Sequence, residues 1–206
     1  IYFTGGEPTL IEKNYELLSL CVEKGYMKQI ELMFNTNLTN INDRFLSLIS
    51  KFKHVMLNLS VEGFGPEQEY LRSNSKWSIV SANLEKLAAA NLPNAHMVIT
   101  PVIQACNVLT ITKLFDYIES LNAKYRRNVF YFMPIMLTEP YHLDMSILPK
   151  ETRYEAAEIL TAYTKKSKAM SYDRFFEPRL KLIISKLKED TPYDAALVKK
   201  FILFTR

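Results

Sequence analysis

The amino-acid sequence predicts an α/β fold in which a largely parallel sheet is followed by a helical C-terminal extension. Short apolar runs alternate with amphipathic helical patterns over residues 1–135, and this alternation is typical of parallel βαβ units. From residue 150 onward the pattern is helical only. Right-handed crossovers leave two arrangements open for the sheet, a doubly wound sheet and a barrel.

The first three predicted strands cover residues 1–4, 30–34 and 54–61. Two amphipathic helices separate these strands. Their apolar positions, at helical spacing, are Ile11, Tyr15, Leu18 and Val22 in the first and Phe45, Leu48, Ile49 and Phe52 in the second. Gly25 is expected to end the first helix, and Asn42 or Asp43 is expected to cap the second.

Two more strands are predicted at residues 97–103 and 129–135. Ser75 and Thr110 are expected to cap the helices that precede these strands, because a side-chain oxygen at that position satisfies a free helical N–H. Beyond them, helices are expected at residues 150–170 and 176–188, and no further strand is predicted.

The pattern changes within residues 137–150, a segment that contains two prolines. We therefore expect a core domain over residues 1–140 and a helical extension over residues 141–206. The net charge of +4 arises mainly in this extension. A solvated, lysine-rich helical surface explains that charge, and the absence of a compact basic block or zinc-finger spacing argues against nucleic-acid binding.

The third predicted strand has one polar face. Val55, Leu57, Leu59 and Val61 alternate with Met56, Asn58, Ser60 and Glu62. A parallel strand buried on both faces is normally apolar throughout. The pattern therefore indicates either a half-exposed edge strand or a wide barrel that holds a polar ligand near the C-terminal ends of its strands.

Composition restricts the class of protein. The 206 residues are 48% hydrophobic and include only two cysteines, Cys21 and Cys106. Two cysteines form no disulfide framework and no metal site alone, so we expect a reducing, cytoplasmic setting and structural thiols. No apolar run is long enough to span a bilayer. His54, His96 and His142 share no metal-binding spacing.

The most informative motif is Gly5-Gly6-Glu7-Pro8, between the first predicted strand and the first predicted helix. Two glycines at such a junction allow a sharp turn and let a ligand approach the main chain without a Cβ in the way. Pro8 suits the start of a helix, where its missing N–H costs little. A tight turn without a ligand is the alternative interpretation.

The motif resembles the GGEP motif of radical S-adenosylmethionine (radical SAM) enzymes. Further strings follow in the order that this family shows: FNTNLTN and LSVEGFG after the next two strands, then YLR, and VITPVIQACN at the following strand. The subgroup that it resembles most carries a twitch or SPASM extension, as in peptide-modifying maturases. The resemblance covers roughly residues 1–140.

The resemblance implies a partial (β/α)6 TIM-like parallel barrel that lacks its first strand. It implies two cofactors, S-adenosylmethionine and a 4Fe–4S cluster. The parent enzyme would cleave S-adenosylmethionine reductively to a 5′-deoxyadenosyl radical that abstracts a hydrogen from a substrate, which could be a peptide. An external electron donor is implied as well. The family's CxxxCxxC cysteines are expected upstream of residue 1, so this chain alone is expected to be inactive.

The resemblance also implies roles for individual residues. The methionine amino end of the cofactor would bind Gly5, Gly6, Glu7 and Pro8. Thr36 and Asn37 would line the pocket, Ser60 would contact the ribose or carboxylate with Glu62 beside it, and Arg72 would pair with the methionine carboxylate. The residues expected near the adenosine are Val102, Gln104 and Asn107. The chain has Leu38 where the family often has Gly, and Glu62 where Asp is more usual.

Other functions remain open on the sequence alone. The runner-up is a non-catalytic nucleotide- or anion-binding module that uses Gly5 and Gly6 at a helix start. A scaffold that keeps the fold for partner contacts is a third class. No acid or base for a substrate step is identified, and the catalytic residues are unknown.

Overall fold

The chain folds around a parallel five-stranded sheet. The computed structural model describes residues 1–171 and 173–205. The strands are β1 (Tyr2–Phe3), β2 (Glu31–Thr36), β3 (His54–Leu59), β4 (Ala95–Ile99), β5 (Val102–Ile103), β6 (Phe130–Phe132) and β7 (Ile135–Met136). The five-stranded sheet has the order β1-β2-β3-β4-β6, and β5 and β7 pair separately.

The order of the strands decides between the two arrangements that the sequence left open. The strands of this sheet lie in the order in which they occur in the chain, with β5 left out between β4 and β6, and all their pairings are parallel. In a doubly wound sheet the order of the strands would reverse at a switch point. The α/β class and the partial, barrel-like arrangement are therefore confirmed, and the described strands form an open sheet.

Helices connect the strands and form the extension. They are α1 (Glu12–Glu23), α2 (Asp43–Ile49), α3 (Pro66–Leu71), α4 (Trp77–Ala89), α5 (Thr112–Lys124), α6 (Lys150–Lys166), α7 (Phe176–Lys188) and α8 (Ala195–Phe204). Asn42 caps α2 as predicted, because its Oδ1 accepts the Phe45 N–H at 2.8 Å. Among the described helices, none has the length and apolar character needed to cross a lipid bilayer.

Two of the predicted helix caps are wrong. Helix α4 begins at Trp77 rather than after Ser75, and the Trp77 N–H donates to Glu69 Oε1 at 2.7 Å. Helix α5 begins at Thr112, and the Thr110 hydroxyl donates to the Asn107 carbonyl instead of capping the helix. At α4 the side chain of Glu69, on helix α3, takes the place of the predicted cap, whereas no side chain caps α5.

The predicted strands at 97–103 and 129–135 are each divided in two. Pro101 follows the first half of one, and Pro134 follows the first half of the other. Proline has no N–H to donate to a sheet, so the chain leaves the main sheet there. The second halves then pair with each other as β5 and β7, and the Ile135 N–H donates to the Pro101 carbonyl at 2.9 Å.

One face of the sheet packs against the helices. Alternate strand residues on this face are buried, namely Leu32, Phe34, Val55, Leu57, Leu59, Met97, Ile99, Phe130 and Phe132. Cys21 on α1 belongs to the same core, as predicted. Helices α6 and α7 contribute to this core as well, and the ring of Phe176 of α7 stacks on Phe132 of β6 with centroids 4.4 Å apart.

Candidate functional site

The candidate site lies at the carboxyl ends of the parallel strands. Because the strands run in the same direction, the segments that follow β1, β2 and β3 meet at one edge of the sheet. The Ser60 N–H, just after β3, donates to the carbonyl of Thr36, the last residue of β2, at 2.9 Å. The predicted site residues Thr36 and Ser60 are therefore brought together at this edge.

The Gly5-Gly6 turn presents open main chain. Gly5 has φ +82° and Gly6 has φ +57°, both in the left-handed region that favours glycine. Both residues are exposed, and nothing lies within 4 Å of where a Cβ would stand. Within the described residues, their N–H and carbonyl groups have no hydrogen-bond partner. The turn thus requires glycine for its conformation and leaves polar main-chain groups available to a ligand.

Glu7 holds this turn to the neighbouring strand, although only 8% of the residue is exposed. Its Oε1 accepts hydrogen bonds from the hydroxyl of Thr9 at 2.6 Å and from the hydroxyl of Thr36 at 2.8 Å. Its Oε2 accepts the Asn37 N–H at 2.7 Å. The carboxylate therefore connects the segment after β1 to the end of β2, and its oxygens face the protein.

The side chains around Asn37 also bond within the protein. The Asn37 Oδ1 accepts hydrogen bonds from the N–H and hydroxyl of Thr39, at 2.9 and 2.7 Å. The Thr36 hydroxyl accepts the Leu38 N–H at 3.1 Å. Leu38 has φ +63° and is fully buried. Leu38 therefore adopts a conformation that glycine takes up more readily.

Ser60 and Pro8 differ in what they present. The Ser60 side chain is partly exposed, and its hydroxyl has no hydrogen-bond partner within residues 1–171 and 173–205. Pro8 is buried and begins a short 3-10 turn over Pro8–Leu10. The carbonyl of Pro8 accepts the Asn14 amide at 2.9 Å. Ser60 can therefore donate to a ligand, whereas Pro8 shapes the turn.

Glu62 and Arg72 form an ion pair beside this site. Arg72 Nη2 lies 2.8 Å from Glu62 Oε1, and the side chain of Glu62 is 6% exposed against 35% for Arg72. The other carboxylate oxygen, Oε2, accepts the Val102 N–H at 2.5 Å. The carboxylate thus connects the segment after β3 with the start of β5.

Asn107 completes the same connection and is fully buried. Its Nδ2 donates to the carbonyls of Glu62 and Val102, at 2.8 and 2.9 Å, and its Oδ1 accepts the Gln104 N–H at 2.9 Å. The Gln104 side chain is partly exposed. Asn107 therefore fixes the loop after β5, in which Gln104 and Cys106 are both partly exposed.

A polar row, only part of which was predicted, lies on the open face of the sheet, the face opposite the helices. Asn58 Nδ2 donates to Asn35 Oδ1 at 2.9 Å, and Asn35 Nδ2 donates to the Tyr2 hydroxyl at 2.5 Å. Asn35 and Asn58 are direct neighbours in the β2–β3 register. The alternation that identified the polar face of β3 continues in β2 and predicts Asn35 by the same logic.

A cavity of about 320 Å³ adjoins this polar row. Its walls include Met56, Asn58, His96 and Tyr131 from the sheet, together with residues 173–175. The rings of His96 and Tyr131 lie 4.4 Å apart, centroid to centroid. The open face therefore combines an apolar wall with amide, imidazole and phenol groups.

The described residues offer no place for an iron–sulfur cluster. They contain no group of three or more His, Cys, Asp or Glu residues that could hold a metal ion. Cys21 is buried on α1, whereas Cys106 follows β5, and both are free thiols. Burial raises the pKa of the Cys106 thiol, which keeps it protonated at neutral pH. Because such clusters require several thiolate ligands, the residues present do not fit one.

Comparisons with solved structures show the same fold elsewhere. SuiB of Streptococcus suis bound to S-adenosylmethionine is 16% identical, with a TM-score of 0.52 over 81% of this chain and 37% of SuiB. Native anSMEcpe with bound AdoMet is 18% identical, with a TM-score of 0.57 over 85% of this chain and 50% of that protein. A further structure of SuiB, bound to the precursor peptide SuiA, gives 16% identity and a TM-score of 0.52 over 80% of this chain and 35% of SuiB.

The chain spans half or less of the length of these structures. No curated protein matches the sequence. A family model described as the radical SAM superfamily matches residues 1–118, more than half of the 206 residues. That match includes the Gly5-Gly6 turn, Ser60 and Arg72, and the strand order and the structural likeness agree with it. The chain therefore belongs to the radical SAM superfamily.

Proposed function

We propose that this chain binds S-adenosylmethionine at the carboxyl ends of β1, β2 and β3 as part of a radical SAM enzyme. One observation carries the proposal. The exposed main chain of Gly5 and Gly6, which has no hydrogen-bond partner within the described residues, lies at the same edge of the sheet as the Ser60 hydroxyl, which also has none there. An amino acid joined to a ribose presents charged and hydroxyl groups that such an edge can bind.

The residues at this edge suggest a division of the cofactor's contacts. The carbonyl groups of Gly5 and Gly6 would accept hydrogen bonds from the methionine amino end, in a turn that Pro8 and Glu7 shape. Ser60 would donate to the ribose or carboxylate, and Gln104 would face the adenosine. S-adenosylmethionine, when bound, supplies the radical chemistry of this family, whereas the protein binds it, orients it and keeps water away.

A chain without a thiolate cluster site should not ligate iron and sulfide. We propose that these residues alone do not assemble a 4Fe–4S cluster, since Cys21 and Cys106 lie on separate elements. Anaerobic reconstitution with iron and sulfide, followed by absorption spectroscopy, tests this. A stoichiometric cluster would contradict the proposal.

The open face is the proposed place for a substrate. The cavity of about 320 Å³ near Asn58, His96 and Tyr131 is large enough for an amino-acid side chain, and a peptide substrate agrees with its mixed apolar and polar walls. The proposal extends to a twitch or SPASM subgroup, an external electron donor, a cytoplasmic setting, and a division into a core over residues 1–140 and an extension over residues 141–206.

Isothermal titration of the folded chain with S-adenosylmethionine tests the proposed site. Replacing Ser60 with Ala removes one hydrogen bond, so the affinity should fall by roughly twofold to tenfold. Gly6→Val forces a β-branched residue into the left-handed region and should weaken binding further, by more than about tenfold. Ser47→Ala, on the exposed side of α2, is the matched control and should leave the affinity unchanged.

Two results would contradict the proposal. One is the absence of binding by the unchanged chain. The other is an affinity that neither Ser60→Ala nor Gly6→Val alters. Titration with ATP separates the alternative of a general nucleotide-binding module, because ATP binding that ignores the Ser60 substitution would favour that module.

A further inference from the structure

Glu62 is shared by two loops at the edge of the sheet. Its Oε1 accepts hydrogen bonds from Arg72 Nε at 3.1 Å and Arg72 Nη2 at 2.8 Å. Its Oε2 accepts the Val102 N–H at 2.5 Å. One oxygen of the carboxylate therefore bonds to the segment after α3, and the other bonds to the first residue of β5.

Neutral amides hold the main chain of Glu62 on both sides. The Glu62 N–H donates to Gln68 Oε1 at 2.7 Å, and the Glu62 carbonyl accepts the Asn107 amide at 2.8 Å. Gln68 and Asn107 are fully buried. Within the described part of the chain, Arg72 is the cation that pairs with this carboxylate. The position of the Glu62 main chain is thus set by amides, whereas its charge depends on Arg72.

Removal of Arg72 would leave a nearly buried carboxylate without a counter-charge. Such a group is strongly unfavourable unless it moves towards water. Movement of the Glu62 carboxylate would release the Val102 N–H, and with it the loop in which Asn107 fixes Gln104. The removal of Arg72 would therefore disturb the loop that is proposed to face the adenosine.

We infer that Arg72 is a positioning residue that acts through Glu62 on the Val102–Gln104 loop, rather than a direct ligand of the cofactor carboxylate. The edge of the guanidinium that carries Nε and Nη2 is already occupied by Glu62, which leaves one edge for any second carboxylate. The consequence for cofactor affinity depends on the proposed function. The consequence for the loop does not.

Two ligands distinguish a positioning role from a direct contact. S-adenosylmethionine and 5′-methylthioadenosine share the adenosine and sulfur, but 5′-methylthioadenosine lacks the methionine carboxylate and amine. Arg72→Ala should weaken both by a similar factor, roughly tenfold or more by isothermal titration. A variant that loses affinity for S-adenosylmethionine and keeps its affinity for 5′-methylthioadenosine would overturn the inference.

A double-mutant cycle tests the route through Glu62. In a Glu62→Gln background, Arg72→Ala should cause less than about a twofold further loss of affinity, because its partner charge is already gone. Losses that multiply independently would show that Arg72 acts elsewhere. Lys124→Ala, which breaks the exposed ion pair with Glu85 on the far end of α5, is the control and should change neither affinity.

Amide hydrogen exchange at Val102 provides a readout without any ligand. Exchange should become at least ~10-fold faster in Arg72→Ala and in Glu62→Gln, and remain unchanged in Lys124→Ala. If the unchanged chain binds neither nucleoside, the proposed function fails, but the exchange rate still decides the positioning role. Unchanged exchange at Val102 in Arg72→Ala would overturn it.

Discussion

Replacing Glu7 with Gln should destabilise the fold and loosen the turn that precedes it. Glu7 Oε2 accepts the Asn37 N–H at 2.7 Å, whereas Oε1 accepts from Thr9 and Thr36. A glutamine oxygen can replace only one of these two acceptors. In one orientation the amide nitrogen faces the Asn37 N–H, and in the other it faces the Thr9 N–H, which donates to Oε1 at 3.2 Å, so two donors oppose each other in either case.

The size of the loss follows from those contacts. An unsatisfied buried N–H costs about 1–3 kcal/mol. The remaining bonds also weaken when the acceptor loses its charge, since charge-assisted bonds are roughly twice as strong as neutral ones. Removing a buried charge offsets part of this loss. We therefore expect the free energy of unfolding to fall by about 2–4 kcal/mol.

Urea unfolding followed by circular dichroism measures this difference. With a slope of about 3 kcal/mol per molar urea, the midpoint should fall by about 1 M. Glu16→Gln is the control, because the Glu16 side chain is 52% exposed and its partner among the described residues is the exposed Lys13. A Glu7→Gln midpoint that matches the Glu16→Gln midpoint would refute the role assigned to the carboxylate.

Three further predictions concern single residues. Leu38→Gly should remove about 1–2 kcal/mol of strain from a left-handed backbone, but it also removes a buried side chain. Urea unfolding should therefore show a net loss of stability, and increased stability would contradict this. Asn122→Ala should cost about 2–3 kcal/mol in the same assay, because Asn122 bonds to the Val129 and Phe130 N–H groups at 3.0 Å and to the Phe130 carbonyl at 2.9 Å; a loss under about 0.5 kcal/mol would contradict it. Burial raises the pKa of the Cys106 thiol, so Cys106 should react with iodoacetamide more slowly at pH 7.5 in the folded chain than in the denatured chain. The reaction should become faster as the pH rises, and equal rates at pH 7.5 would contradict the prediction.

The sequence was sufficient for the parts of the fold that depend on local periodicity. The alternation of apolar runs and helices predicted the strands of the main sheet, and the Asn42 cap is confirmed because it depends on residues three positions apart. The family resemblance assigned the Gly5-Gly6 turn and Ser60 to one cofactor pocket, and the parallel strands bring both to the same edge of the sheet.

Contacts between distant residues could not be predicted in this way. The partners of Glu7 lie about thirty residues away, at Thr36 and Asn37, and no local pattern identifies them. The expected contact of Arg72 with a cofactor was taken from the family, whereas the structure shows a bond to Glu62 that only the tertiary fold brings about. Helices α3 and α8 were missed, α3 because it is only six residues long.

The edge strand β6 is held by contacts with the helix that precedes it and with the helical segment that follows it. Its Phe132 ring lies against Phe115 of α5 and Phe176 of α7, and its Phe132 N–H donates to Asp173 at 2.6 Å. The C-terminal helical segment thus stabilises β6 at the edge of the sheet. Truncation of the protein before Asp173 would remove these contacts with Phe132. The cavity wall that contains Tyr131, on the same strand, would then lose its packing against α7.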